Sequence, residues 1–117
     1  MHNFKNLKVW EKSMALAASV YELMEAMPVE EKYGLTSQIK RCAISIPSNI
    51  AEGAGRNTNA DFARFLDISN GSSNELETQL LLAQRLNFLD ASDVTSISNE
   101  LDQIQKMNYK LINKLRE

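Results

Sequence analysis

Cysteine, histidine and proline are scarce in this 117-residue sequence, and each scarcity closes off a class of chemistry. The single cysteine, Cys42, excludes an internal disulfide and any multi-cysteine zinc site. The single histidine, His2, excludes two-histidine metal sites and leaves little from which to build a Ser-His-Asp or Cys-His relay. No apolar run approaches the ~20 residues of a transmembrane helix. The opening Met1-His2-Asn3-Phe4-Lys5 is followed by no apolar signal core, so the expectation is a cytoplasmic protein without a membrane partner. Charge of one sign is also lacking. Thirteen Lys and Arg stand against 15 Asp and Glu, for a net charge of −2 and a pI near 5.5. That argues against a strongly basic nucleic-acid binder but leaves room for a local basic patch. Gly53-Ala54-Gly55 has neither the following lysine nor the preceding strand of a phosphate loop. The carboxylate pairs Glu30/Glu31 and Glu75/Glu77 sit at spacings that diverge on a helix. No catalytic residues, metal ligands or cofactor are expected, and hence no enzyme.

What the sequence does contain is helical periodicity. Apolar residues make up 44% and charged residues 24%, as in an ordinary soluble domain, and the length suits a single domain over 1–117. A first helix over about Leu7–Met27 carries the stripe Trp10, Met14, Ala17, Tyr21, Met24, and Pro28 stops it. A second begins at about Glu31 or Thr36 and runs to Ala54, with Leu35, Ile39, Cys42, Ile46, Ile50 and Gly53 on one face. Thr58 or Asn59 can cap a third, striped by Phe62, Leu66, Ser69, Ser73, Leu76, Leu80 and Ala83. Gly71 inside it should cost about 1 kcal/mol against alanine, offset by close approach of another helix; a break there is the alternative. Asn87–Ser92 connects to a fourth helix, capped by Asp90 or Ser92 and striped by Val94, Ile97, Leu101, Ile104, Met107, Leu111 and Leu115. Short connections imply an all-α, up-down-up-down four-helix bundle.

One stretch is unlike the rest: Ser45-Ile46-Pro47-Ser48-Asn49-Ile50-Ala51-Glu52-Gly53-Ala54-Gly55-Arg56. Pro47 removes a backbone donor and crowds the Ala43 carbonyl, at a cost of about 3 kcal/mol. The stripe stays in phase on both sides, which predicts one helix kinked at Pro47. Gly53 and Gly55 are read as its left-handed stop. Folding the second and third helices about a turn near Asn57 places Asn49 opposite Phe65 and Glu52 opposite Phe62. The same register predicts an ion pair between Arg41 and Glu75, or Glu77 if shifted.

With these residues laid out, the sequence resembles the small four-helix-bundle proteins encoded in intervening sequences of bacterial 23S ribosomal RNA genes. The resemblance runs from Phe4, Leu7, Val9 and Trp10 through Tyr33-Gly34-Leu35-Thr36-Ser37-Gln38-Ile39 and Arg41 to Ser45–Gly53 and Arg56. It continues through Phe62, Phe65-Leu66, Gly71-Ser72 and Glu75-Leu76-Glu77. More distantly, the chain is similar to the accessory bundle protein of diversity-generating retroelements. The resemblance implies a four-helix bundle that assembles into a homo-pentameric ring, with a supposed role on RNA or DNA and no enzymatic activity. Carried over by residue, its polar signature is Gln38, Arg41, Ser48, Asn49, Glu52, Arg56 and Glu75. The chain departs from the family at Asn70, often basic there, and at Cys42, usually alanine.

Two functions follow. The first is a ring that associates with nucleic acid through phosphates, using Lys40, Arg41, Arg56 and Arg64 near one helix pair and the row Lys106, Lys110, Lys114 on the last helix. The second is an oligomeric scaffold or protein-partner module, in which the signature is interface and packing and the lysine row only complements the helix dipole. Tyr21, Tyr33, Phe65, Leu81 and Leu82 fall beside the stripes and cannot all be covered by one slim bundle, which predicts association.

Overall fold

The computed structural model describes residues 2–117, which contain four α-helices and no strand. These are α1 (Lys8–Leu23), α2 (Leu35–Ala54), α3 (Asn59–Arg85) and α4 (Ala91–Leu115). Short 3-10 turns precede α1 at Phe4–Asn6, follow it at Met24–Ala26, and cover Val29–Glu31 before α2. The packing is a closed circuit of α1 on α2, α2 on α3, α3 on α4 and α4 on α1, in a body 45 × 23 × 19 Å.

The termini follow from local chemistry. Asn3 accepts from the Lys5 N–H and starts the first 3-10 turn, which sets Phe4 edge-on to Trp10 at 5.1 Å. Thr58 caps α3 by accepting from the Asp61 N–H. The α3 C-terminus closes with Phe88 N–H on the Ala83 carbonyl and Asn87 N–H on the Gln84 carbonyl. Asn87 there adopts φ 62°, the left-handed residue that a Schellman ending requires and asparagine tolerates. Asp90 occupies the α4 cap position without a side-chain cap bond.

The stripes of α2 and α3 are buried as periodicity predicts, except that Leu35 is only partly covered. In α1 the buried side is Val9, Ser13, Leu16, Val20 and Met24. The expected stripe lies one residue round: Met14 and Tyr21 are exposed, and Trp10 and Ala17 only partly covered. Both sides of α1 are apolar, and the larger residues are on the outer one. In α4 the expected stripe is fully buried through Ile104, after which Asn108 and Ile112 are buried and Met107, Leu111 and Leu115 pack against the core only partly covered. An α-helix of this length drifts relative to a strict seven-residue repeat.

Gly53 and Gly55 do not form a left-handed stop. No glycine has positive φ, and Gly55 sits at φ −85°, ψ −3°. Gly53 is where α2 and α3 come closest. A Cβ there would stand 2.7 Å from Phe65 Cβ and 3.0 Å from Phe62 Cδ1. Gly71 lies in unbroken helix and is exposed, with nothing within 4 Å of a Cβ position. The small-residue approach expected there occurs instead at Gly53 and at the buried Ser69 and Ser73. α2 continues through the buried Pro47.

Candidate nucleic-acid interface

Of the polar signature, Asn49 is spent inside the molecule, in a seam it shares with Ser45, Ser69 and Ser72, while Gln38, Arg41, Ser48, Glu52 and Glu75 are exposed. Ser45 and Ser72 hydroxyls bond across α2 and α3 at 2.8 Å. Asn49 donates to the Ser45 carbonyl at 2.8 Å and to its hydroxyl at 2.9 Å. One turn away, Ser69 donates to the Ile46 carbonyl at 3.1 Å. These bonds fix the α2–α3 seam. Glu52 does not face Phe62; it is exposed and pairs with Arg56 at 2.9 Å, while Gly53 takes the place against Phe62 and Phe65.

The expected Arg41 pair with Glu75 or Glu77 is absent. Among the described residues no carboxylate lies within 4.0 Å of the Arg41 guanidinium. Cys42, one position on, is the residue that approaches Glu75 and Gln79. The hydrogen-bonded pairs Ser45/Ser72 and Ile46/Ser69 set a register slightly later than the one expected from a turn at Asn57. Burial first, and the Glu75 carboxylate second, push the Cys42 thiol above its ordinary range.

The remaining cations fall into matched and unmatched groups. Arg56 pairs with Glu52, Arg64 with Asp61 at 3.1 Å, and Lys106 with Asp102 at 2.9 Å. Arg56 and Arg64 also both lie over the Phe65 ring, at 4.7 and 4.6 Å, covering it. Lys40, Lys110 and Lys114 have no carboxylate within 4.0 Å among the described residues. Lys110 and Lys114 flank a shallow apolar groove with Lys8, Val9 and Leu111. Lys40 and Arg41 lie toward the other end of α1, around a pocket shared with Tyr21, Lys32, Tyr33 and Ser37. The candidate cations are therefore not one continuous stripe. Gln38 and Ser48 are exposed, and Ser48 lines a groove with Pro47, Trp10, Met14 and Tyr21.

Lys32 was not among the candidates from sequence, and Tyr21 and Tyr33 entered as stripe, motif and apolar-surface residues but not as ligand contacts. A signal existed: folding α1 against α2 about Glu30 and Glu31 sets Tyr21 opposite Lys40, and Lys40 Nζ stands 4.9 Å from that ring. Asn70 and Asn108 were missed as a pair. Asn108 Nδ2 donates to Asn70 Oδ1 at 2.9 Å, both are buried between α3 and α4, and Asn70 is closed to any ligand.

The profile of a family described as 23S rRNA-intervening sequence protein matches residues 5–110. A crystal structure of a protein of unknown function from the S23 ribosomal protein family of Bacteroides thetaiotaomicron superposes with a TM-score of 0.83. The two are 30% identical, over 90% of this chain and 95% of that one. No curated protein matches.

Proposed function

Because this chain belongs to the 23S rRNA-intervening sequence protein family, we propose that it is a non-enzymatic homo-oligomer that associates with nucleic acid through phosphate contacts. In this reading five up-down-up-down bundles, each with α2 bent at Pro47, form a ring in the cytoplasm. The observation that carries the nucleic-acid assignment is the uneven pairing of cations. On a chain of net charge −2, Lys32, Lys40 and Arg41 surround one pocket with no carboxylate in salt-bridge range among the described residues. Alternating helix direction is supported by cross-helix bonds whose residue numbers run oppositely, Ser45/Ser72 with Ile46/Ser69 and Asn74/Gln105 with Asn70/Asn108.

Self-association is supported by two separate apolar surfaces. One is the groove of Trp10, Met14, Tyr21, Ile44 and Pro47. The other is Leu81 and Leu82 on α3 with Leu86 at its C-cap, each near half exposed. Two different patches on one chain suit head-to-tail contact, and such contact closes into a ring when the rotation permits. Each copy then repeats the basic pocket, so modest single-site affinity becomes avidity.

The test is anisotropy of labelled structured RNA and duplex DNA at about 50 and 200 mM salt. Affinity should fall by about three to five decades if the ring contacts roughly six to ten phosphates. The apolar groove favours a second reading, an oligomeric scaffold for a protein partner. Absence of binding at the lower salt would leave that reading standing and remove the first.

A further inference from the structure

From the pocket between the end of α1 and the start of α2, we infer that this protein takes single-stranded nucleic acid, with a base stacked on Tyr33 and phosphates on Lys32, Lys40 and Arg41. The inference rests on the nucleic-acid reading above and adds the kind of strand and the place where it binds.

Tyr33 is 89% exposed. A tyrosine that open buries almost nothing against its own chain, so packing does not explain it. Lys32 Nζ stands 5.4 Å from its ring, and across the pocket Lys40 Nζ stands 4.9 Å from the Tyr21 ring. Ser37 and Arg41 complete the wall of an open surface pocket of about 400 Å³. The nearby Glu31 accepts from the Leu35 N–H through its Oε1 and makes no ion pair within 4.0 Å with the lysines.

Cations alone would suit any polyanion. The aromatic faces narrow the choice. In a duplex the bases are stacked on each other and offer no face to a tyrosine. In a single strand each base has a free π-face, and alternation of base with phosphate matches alternation of ring with cation. Tyr21 and Ile44 also line the apolar groove described above, while Lys32, Tyr33, Ser37, Lys40 and Arg41 do not. A neighbouring copy seated in that groove would therefore border the pocket without filling its basic side.

The experiment measures anisotropy of a fluorescein-labelled single-stranded oligouridylate, and of a duplex of equal length, against wild type, Tyr33→Ala and Arg41→Ala. Thermal melts confirm that both variants are folded, as the exposure of both side chains predicts. The single strand should bind more tightly than the duplex. Tyr33→Ala should weaken single-strand binding by about 5- to 150-fold, the loss of one base–aromatic stack. Arg41→Ala should lower the slope of log affinity against log salt by about 0.7, one single-strand phosphate. Tight binding of duplex with Tyr33→Ala unchanged would overturn this site and leave the broader reading intact. No binding to either probe would overturn both. Poly-glutamate competing as well as oligouridylate would overturn base stacking in favour of an acidic protein partner.

Discussion

Replacing Gly53 and Gly71 by alanine, one at a time, should move stability in opposite directions. At Gly53 the added Cβ would stand 2.7 Å from Phe65 Cβ, 3.0 Å from Phe62 Cδ1 and 3.2 Å from the Phe62 carbonyl oxygen. Ordinary carbon–carbon contact is about 3.5–4.0 Å, so α2 and α3 would have to part by roughly 1 Å. Phe65 Cβ is fixed to its backbone and cannot rotate away, which puts the cost near the top of the usual overpacking range, about 3 kcal/mol. Better helix propensity returns about 1 kcal/mol. The net loss is about 2 kcal/mol. At Gly71 nothing lies within 4 Å, so the propensity gain of about 1 kcal/mol stands alone. Urea unfolding at fixed protein concentration, with the slope shared across variants, should separate the two by about 3 kcal/mol. A Gly53→Ala protein as stable as wild type would refute the close-approach argument. A Gly71→Ala protein that loses stability would show that something covers that side of α3.

Asn108→Ala should cost about 1–3 kcal/mol, because it strands the buried Asn70 carbonyl oxygen; urea titration reads this, and a neutral result would mean that the pair is not closed to water. Cys42 holds its proton more tightly in the folded chain than in the unfolded one, so its contribution is present below the ordinary thiol range and lost as pH rises through the folded value. The urea midpoint of wild type should accordingly fall relative to Cys42→Ala on going from neutral to strongly alkaline pH, and a constant difference would contradict it. Met14→Glu places a charge in the groove of Trp10 and Pro47 and should convert the proposed oligomer to monomer by light scattering without lowering the thermal midpoint of the bundle. An unchanged mass would put the association surface elsewhere.

The helices and two of their four buried sides were legible because α2 and α3 each have a single apolar stripe. α1 was misread because apolar residues occupy neighbouring positions: Val9 beside Trp10, Leu16 beside Ala17, Val20 beside Tyr21. Periodicity alone cannot rank two stripes of equal period. The end of α4 failed for another reason. Asn108 turns inward because Asn70 is there to receive it, and a hydropathy pattern carries no information about a partner so far along the chain. The Arg41 ion pair failed on a small change of register, which brought Cys42 to Glu75 instead. At the candidate site, Lys40 and Arg41 were legible one by one and Lys32 was not, because their grouping depended on which carboxylates the fold brought within reach. Glu52, Asp61 and Asp102 each claim a cation one helical turn away, and none of them reaches Lys40 or Arg41.

The double stripe of α1 has a consequence for how this helix can vary. Val9, Ser13, Leu16 and Val20 touch the core, and the residue after each of the apolar three, together with Met14 after Ser13, lies on the outer apolar side. Two adjoining positions in each turn are thus constrained for different reasons, one by the interior and one by the groove. Lys8, Glu11, Ala15, Ser19 and Glu22 are left as the exposed positions off both stripes and outside the groove, whose edge Ala18 lines. A saturation scan of α1 should therefore show tolerance in narrow windows about one turn apart, with substitutions on the inner side lowering abundance and those on the outer side changing assembly while abundance holds.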